Sequence, residues 1–489
     1  MTRIVIEKIN DVHIKAHCEP DVAQELSEYF TFSVPGARFS PAVKRKVWDG
    51  KIRLFNSATR IIYHGLKLHI ELFARERNYE VDYLDSNEFT QDEYTQEQAI
   101  EFFKSLNLTI EPRDYQVSAF VHAVRNKRCL LLSPTASGKS LIIFLLARFF
   151  HKKKTLVIVP TTSLVHQMAS DFESYCGIDS NKFCHRILSG AEKESDLPFV
   201  ISTWQSIYKM PKTWFAQFST VIGDEAHLFK AKSLTSILSK MPVCPVRIGF
   251  TGTLDGSQTH KLVLEGLFGP VKRVTSTADL IEQKHLADFK IKALVLSYSD
   301  AIRQKMKNAD YHDEMDFLVT NQARNRFITN LALSLEGNTL LLFQYVEKHG
   351  KALYDILNQS GRKVFFVSGE VDGQIREDIR KEVEESENAI IVASYGTFST
   401  GVNIKNLHNI IFASPSKSRI RNLQSIGRGL RKSNTKSSAT LYDIADDLTW
   451  KSKKNHTILH FAERIKIYNE EMFNYKIYNI GIKDHDLSH

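Results

Sequence analysis

The sequence predicts an α/β protein of two tandem parallel-sheet domains, with a small N-terminal α+β accessory domain and a short helical C-terminal segment. Three observations lead there. Short apolar runs recur between residues 129 and 444, apolar at nearly every position. Strands buried on both faces, as in a parallel sheet, require that pattern. The stretches between them, such as 139–150 and 420–430, are long enough for crossover helices. Residues 1–90, by contrast, alternate polar and apolar positions.

Taken in order, residues 1–90 form the accessory domain. Within it, 38–53 (RFSPAVKRKVWDGKIR) carries six Lys or Arg against the single acid Asp49, with Trp48 among them. Lys44, Arg45 and Lys46 are therefore candidates for contact with the phosphates of a nucleic acid. The plainer alternative is a solvated basic surface with Trp48 in a small core. Residues 91–288 form the first sheet domain, opening on a linker helix at 94–106. Its strands are expected at 129–133, 155–160, 199–203, 221–225 and 247–253. Residues 289–447 form the second, with strands at 293–298, 339–344, 364–369, 389–394, 409–414 and 439–444. Residues 448–489 are the C-terminal extension, with a helix over 458–475 and a polar tail at 483–489.

Composition narrows the function classes. The chain has 489 residues, enough for about three ordinary domains. Cys18, Cys129, Cys176, Cys184 and Cys244 form no C-x-x-C pair. That argues against a zinc site or disulfide framework and for a reducing compartment. The N-terminus has no secretory core, and no apolar run approaches ~18 residues, so neither export nor a membrane span is expected. The net charge of +9 favours a polyanionic partner.

Residues 133–140 (SPTASGKS) follow one apolar run and open another. That is the setting of a phosphate-binding loop, although Ser133 stands where the pattern has its first glycine. The backbone of Pro134, Thr135, Ala136, Ser137 and Gly138 would cradle phosphates at a helix N-terminus. Lys139 would reach the β- and γ-phosphates, and the Ser140 hydroxyl would hold Mg²⁺. Asp224, Glu225, Ala226 and His227 end the run VIG. Acids at a strand's C-terminal tip sit where ligands of open parallel sheets bind. Asp224 would hold Mg²⁺ and Glu225 would orient and deprotonate the attacking water. Further on, Arg428 and Arg431 are three apart, so a helix would face them the same way. No acid lies between Ser416 and Tyr442 to pair with them. Two such guanidinium groups suit the charge that builds on a transferring phosphoryl group.

Together these residues resemble the motifs of superfamily 2 helicases, over about residues 108–445. The order and spacing of the motifs agree. Arg113 to Gln116 (RDYQ) is similar to the adenine-recognition motif, residues 134–140 to motif I and DEAH at 224–227 to motif II. Thr251 to Thr253 (TGT) resembles motif III, and Thr161 and Thr203 to Gln205 lie in segments similar to the strand-contacting motifs. Leu342 and Phe343 resemble motif IV, residues 394–403 motif V, and Gln424 to Arg431 (QSIGRGLR) motif VI. The resemblance implies RecA-like folds for both sheet domains, with ATP and Mg²⁺ as cofactors. It implies an ATP site completed by Gln424, Arg428 and Arg431 from the second domain. It implies coupling through His227, Thr251, Thr253 and Gly401, and nucleic-acid backbone contacts at Thr161, Thr203, Gln205 and Thr400.

Stretches outside the motifs resemble the phage recombination helicases that remodel branched DNA. Examples are RFSP at 38–41, WDGKIRL at 48–54, PKTWF at 211–215 and VSGEVD at 367–372. The implied activity is ATP-driven unwinding and branch migration of forks, D-loops and Holliday junctions. The implied agent is a monomer in the host cytoplasm that binds single-stranded, double-stranded and branched DNA. Three alternatives stay open from sequence: a DEAH-type RNA helicase, an ATP-gated clamp that does not unwind, and the motor subunit of a restriction nuclease.

Overall fold

The computed structural model describes residues 2–34, 36–134, 136–151, 153–188, 190–230, 232–254, 257–371, 373–400, 404, 406–416, 418, 426–427 and 438–482. Two compact units emerge, residues 1–133 with 138–275 and residues 276–489 with 134–137.

The first unit opens with β1 (Arg3–Lys8), β2 (His13–His17), β3 (Thr31–Ser33), β4 (Lys51–Arg53), β5 (Ile61–Tyr63) and β6 (Glu80–Tyr83). Alternation in β1 buries Ile4 and Ile6 on one face, and Ile14 and Ala16 of β2 join them. The mixed sheet runs β5-β2-β1-β6, and β3 pairs with β4 as a separate antiparallel ribbon. Helices Pro20–Tyr29 and Lys67–Glu76 cover the sheet through Val22, Leu26, Ile70 and Phe73.

This small sheet is fastened to the larger one behind it. Gly65, in the turn His64–Leu66, lies so close to the helix Gln258–Phe268 that a Cβ there would sit 1.9 Å from the Glu265 carbonyl oxygen. His69 Nε2 lies 2.8 Å from the Glu265 carboxylate. The Asp11 N–H donates to the Pro242 carbonyl at 3.0 Å, and Arg128 donates to the Asp11 carbonyl. Leu262 packs into the core of the small domain.

The large sheet of the first unit contains β7 (Arg128–Leu132), β8 (Lys154–Val159), β9 (Cys184–Ile187), β10 (Phe199–Thr203), β11 (Phe218–Gly223), β12 (Val246–Thr251) and β13 (Val271–Arg273). All pairs are parallel, in the order β13-β7-β12-β11-β8-β10-β9. The five expected strands are all present. β9 and β13 were not expected, because CHRI and VKR are short edge strands without an apolar run. The helix expected over 94–106 is Gln96–Ser105, starting right after its N-cap Thr95, which forms a capping box with Gln98. Arg247, fully buried, donates to the carbonyls of Leu238, Met241 and Cys244. It thereby satisfies the end of the helix Lys232–Ser239.

The second unit contains β14 (Asp288–Ser297), β15 (Thr339–Phe343), β16 (Val364–Val367), β17 (Ile390–Ser394), β18 (Asn409–Phe412), β19 (Ser438–Asp447) and β20 (Tyr475–Gly481). The order is β16-β17-β15-β18-β19-β14-β20, again all parallel. The expected crossover helix at 420–430 falls mostly outside the described residues.

The C-terminal extension does more than the expected helix. The helix is His456–Glu470, shorter than 458–475 at its far end. From Tyr475 the chain becomes β20, which pairs with β14 and extends the sheet. The sequence YKIYNIG has the β-branched and aromatic content of a strand, but only its edge position makes so polar a run acceptable. The helix N-terminus is capped by Glu314, whose carboxylate accepts from the His456 and Thr457 N–H groups at 2.8 and 2.7 Å.

Candidate nucleotide site

Strand β7 delivers the chain to Ser133, which is buried and donates its N–H to the Thr251 carbonyl at 2.8 Å. The Ser137 hydroxyl donates to the Pro134 carbonyl at 2.7 Å, closing the loop on itself. Ala136 and Gly138 both take positive φ, +66° and +76°. Gly138 is the N-cap of the helix Lys139–Phe149, and among the described residues no side chain caps that first turn. Its N–H groups are those that anions satisfy at helix starts.

Gln116 secures this turn. Its Oε1 accepts from the Arg113 N–H at 2.9 Å and its Nε2 donates to the Gly138 carbonyl at 3.3 Å. A Cβ on Gly138 would lie 2.4 Å from that Nε2. Both the glycine and the glutamine are therefore fitted to each other, which ties the adenine-motif residues to the loop.

At the tip of β11, the Asp224 N–H donates to the Ile158 carbonyl at 2.9 Å. The Asp224 carboxylate in turn accepts from the Glu225 N–H at 2.9 Å. Glu225 adopts φ +49°, an uncommon conformation for a non-glycine residue. Lys139 Nζ lies 3.4 Å from Glu225 Oε1, and His227 Nδ1 lies 3.3 Å from Oε2. Burial works to raise the Glu225 pKa, but Lys139 and His227 outweigh it and hold the carboxyl well below its usual range. Asp224 goes the other way: burial pushes it up, more than the Lys139 ammonium can offset.

The chain of contacts continues to motif III. Thr251 Oγ1 lies 3.1 Å from His227 Nδ1 and donates to the Thr253 carbonyl at 2.8 Å. With its one hydroxyl proton given to that carbonyl, Thr251 can only accept from the ring, so Nδ1 carries the proton. Lys139, Glu225, His227, Thr251 and Thr253 thus form one connected polar path at the C-terminal edge of the sheet.

The ATP-dependent DNA helicase uvsW of Enterobacteria phage T4 is 35% identical over 495 residues, covering 96% of this chain and 98% of its own length. This chain belongs to the UvsW helicase family. Residues 5–85 match the family described as DNA helicase UvsW, N-terminal. Residues 94–256 match the type III restriction enzyme res subunit, and 323–433 the helicase conserved C-terminal domain. The crystal structure of T4 UvsW shares 33% identity, covers 98% of this chain and 100% of its own, and superposes with a TM-score of 0.52. A type ISP restriction-modification enzyme, LlaBIII bound to DNA, is 15% identical with a TM-score of 0.57. It covers 83% of this chain and 34% of its own, and it shares the fold alone. Both large sheets are RecA-like, as the UvsW relationship requires.

The other expected site residues are distributed as follows. Thr161 is the N-cap of the helix Thr162–Cys176, its hydroxyl accepting from the Leu164 N–H at 3.4 Å. Thr203, at the end of β10, is buried with its hydroxyl 3.0 Å from Ser206 Oγ, whereas Gln205 is exposed. Lys44, Arg45 and Lys46 are exposed, and none makes an ion pair among the described residues. Thr135, Gly401, Gln424, Arg428 and Arg431 lie outside the described residues. Thr400 ends the helix Tyr395–Thr400, and only its backbone is described.

One contact at the site had no signal in the sequence. Ser140 Oγ lies 2.7 Å from the hydroxyl of Tyr175, in the last turn of the helix Thr162–Cys176. Burial raises Tyr175 to about 12, so its phenol stays protonated at neutral pH. Tyr175 belongs to no motif, and only the approach of two crossover helices brings it to the loop. Among the described residues, no helix is long and apolar enough to cross a membrane.

Proposed function

We propose that this protein is an ATP-dependent phage DNA helicase that unwinds and branch-migrates forks, D-loops and Holliday junctions in recombination, repair and replication. The observation that carries the reading is the polar path Lys139–Glu225–His227–Thr251 beside a helix N-terminus, in a chain that matches UvsW over nearly its whole length. Helix-start N–H groups and Lys139 bind the triphosphate, and Gln116 and Arg113 hold the adenine side. Glu225, kept ionised by its neighbours, orients the attacking water and takes its proton. The Ser140 hydroxyl and the Asp224 carboxylate are the oxygen donors that suit Mg²⁺. Bound there, Mg²⁺ would neutralise charge on the phosphates. Gln424, Arg428 and Arg431 act on the charge that develops during transfer.

His227 joins the hydrolytic carboxylate to Thr251 and Thr253, so a change in Glu225's partners is felt at motif III. That is the physical content of coupling here, and Gly401 serves it in the second unit. Thr161, Thr203, Gln205 and Thr400 lie in the segments that grip the nucleic-acid backbone. Lys44, Arg45 and Lys46 are free to meet the phosphates of a duplex arm, and the accessory domain that bears them is fixed to the first sheet. The enzyme works as a monomer in the host cytoplasm.

The deciding experiment is unwinding of a synthetic four-way DNA junction by wild type and Lys139→Ala, with structured RNA as the competing substrate. The wild type should move the branch only with hydrolysable ATP, and the variant should bind the junction without moving it. Stimulation of the ATPase by RNA and not by DNA would overturn the reading. So would strand displacement with a non-hydrolysable analogue. Substituting Lys44, Arg45 and Lys46 together should weaken junction binding and flatten its salt dependence while basal ATPase persists.

A further inference from the structure

Ser140 stands in the first turn of the helix Lys139–Phe149, and Phe144 follows one turn later. The ring of Tyr175 packs against Phe144, with the centroids 5.9 Å apart, and its hydroxyl reaches Ser140 Oγ at 2.7 Å. Among the described residues, each of these two hydroxyls has only the other as a hydrogen-bond partner. Tyr175, Ser140 and Asp224 all belong to the first unit.

Tyr175 is presented from a fastened backbone. It lies in the last turn of the helix Thr162–Cys176, which ends at Gly177 with φ +66° and an N–H on the Glu173 carbonyl at 2.8 Å. The Glu173 carboxylate accepts from the Ser180 N–H at 3.2 Å and from its hydroxyl at 3.0 Å, which pins the turn beyond. From the other side, the Thr109 N–H donates to the Tyr175 carbonyl at 2.9 Å, and the Thr109 hydroxyl donates to the Ser174 carbonyl. A serine hydroxyl has one proton and two lone pairs. Whichever oxygen donates in the Tyr175–Ser140 bond, Ser140 keeps at least one lone pair for a cation. Without that bond, its χ1 is free to turn among staggered wells. With it, the oxygen is offered in one direction.

We propose that Tyr175 is a positioning residue for the Mg²⁺ that accompanies ATP, holding the Ser140 hydroxyl in the orientation from which its oxygen meets the cation. The proposal rests on the reading of Ser140 and Asp224 as the oxygen donors to that ion. Tyr175 touches neither the nucleotide nor the metal on this account and acts through Ser140 alone. Its loss should therefore weaken the hold on Mg²⁺ and spare the hold on the nucleotide without metal, which comes from backbone N–H groups and Lys139. General damage to the loop has no reason to respect that division.

The test is Tyr175→Phe in the full chain, which removes one oxygen and keeps the ring against Phe144. Mg²⁺ is titrated into the chain saturated with a fluorescent ADP, and the affinity for the same ADP is measured in EDTA. Groups that orient a metal ligand typically carry about 10- to 100-fold of metal affinity. The apparent affinity for Mg²⁺ should fall by at least about five-fold, with the affinity in EDTA within about two-fold of wild type. A smaller fall overturns the proposal, and so does an equal loss in EDTA. Ser140→Ala and the double variant are run alongside. If Ser140→Ala keeps the wild-type affinity for Mg²⁺, the reading of Ser140 as a donor is wrong; if it loses that affinity while Tyr175→Phe keeps it, only the positioning role fails. With Ser140 already removed, Tyr175→Phe should cost nothing further. Additive losses would show that the tyrosine acts on something other than Ser140 and would overturn the proposal.

Discussion

Replacing Gly138 with alanine tests whether the observed loop is the one that binds nucleotide. The backbone there has φ +76°, which costs an L-residue about 1–2 kcal/mol. The new methyl would stand 2.4 Å from Gln116 Nε2, so the glutamine must swing away. Its 3.3 Å bond to the Gly138 carbonyl is then lost, for about 0.5–1.5 kcal/mol more. The sum, about 1.5–3.5 kcal/mol, corresponds to about 10- to 300-fold in affinity if it comes off nucleotide binding. Titration with a fluorescent ATP analogue reads this directly. Gln116→Ala and the double variant complete a cycle. The Gln116 bond is lost in both single variants, so the double should be better than additive by about 1 kcal/mol. Strictly additive costs, or Gly138→Ala within three-fold of wild type, would refute the fit of glycine to glutamine described above.

Three further predictions follow from buried polar groups and close packing. Arg324→Met should destabilise the second unit by about 3–5 kcal/mol, because Asp446 is fully buried and, among the described residues, keeps only the Tyr298 hydroxyl as a side-chain partner. Hydrogen exchange along β19 measures this, and Asp446→Asn added to Arg324→Met should recover part of the loss. His64 is held down to about 2, mainly by burial and then by Arg128; His349 is held down to about 3 by burial and Arg324. Both stay neutral when folded and take up a proton near pH 6.5 when unfolded, so their stabilisation is complete above that pH and lost as pH falls toward about 3. Each should cost about 1.4 kcal/mol at pH 5.5 relative to neutral pH. Unfolding midpoints of wild type and His349→Asn at pH 7.5 and 5.5 check it; equal acid sensitivity would contradict the account. Gly65→Ala places a methyl 1.9 Å from a backbone carbonyl that no rotamer change can move. Hydrogen exchange over β5 and the helix Lys67–Glu76 should rise as the accessory domain loses its seat, and unchanged protection would show that the seat does not matter.

Both parallel sheets were legible in the sequence because strands buried on two faces leave apolar runs that need no partner to be recognised. VIG before Asp224 and CLLL before Ser133 are such runs, and by themselves they put the motif residues at strand tips. The edge strands β9, β13 and β20 were not legible, since an edge position relaxes the demand for apolar residues. VKR and YKIYNIG become strands only because a neighbouring strand offers its hydrogen bonds. The helix expected over 458–475 ended at Glu470, with a turn over 471–474 and Tyr475 opening β20.

By itself, the sequence placed the residues we propose for the chemistry at strand ends: Gly138, Lys139 and Ser140 after one strand, Asp224 and Glu225 after another. Those are local facts, set by backbone geometry within a few residues. Tertiary structure alone decided that Gln116 fits against Gly138, that Tyr175 meets Ser140, and that Glu314 caps the helix His456–Glu470. The physical reason is that buried polar groups must be satisfied by whatever side chain packing brings near, and sequence distance carries no record of that.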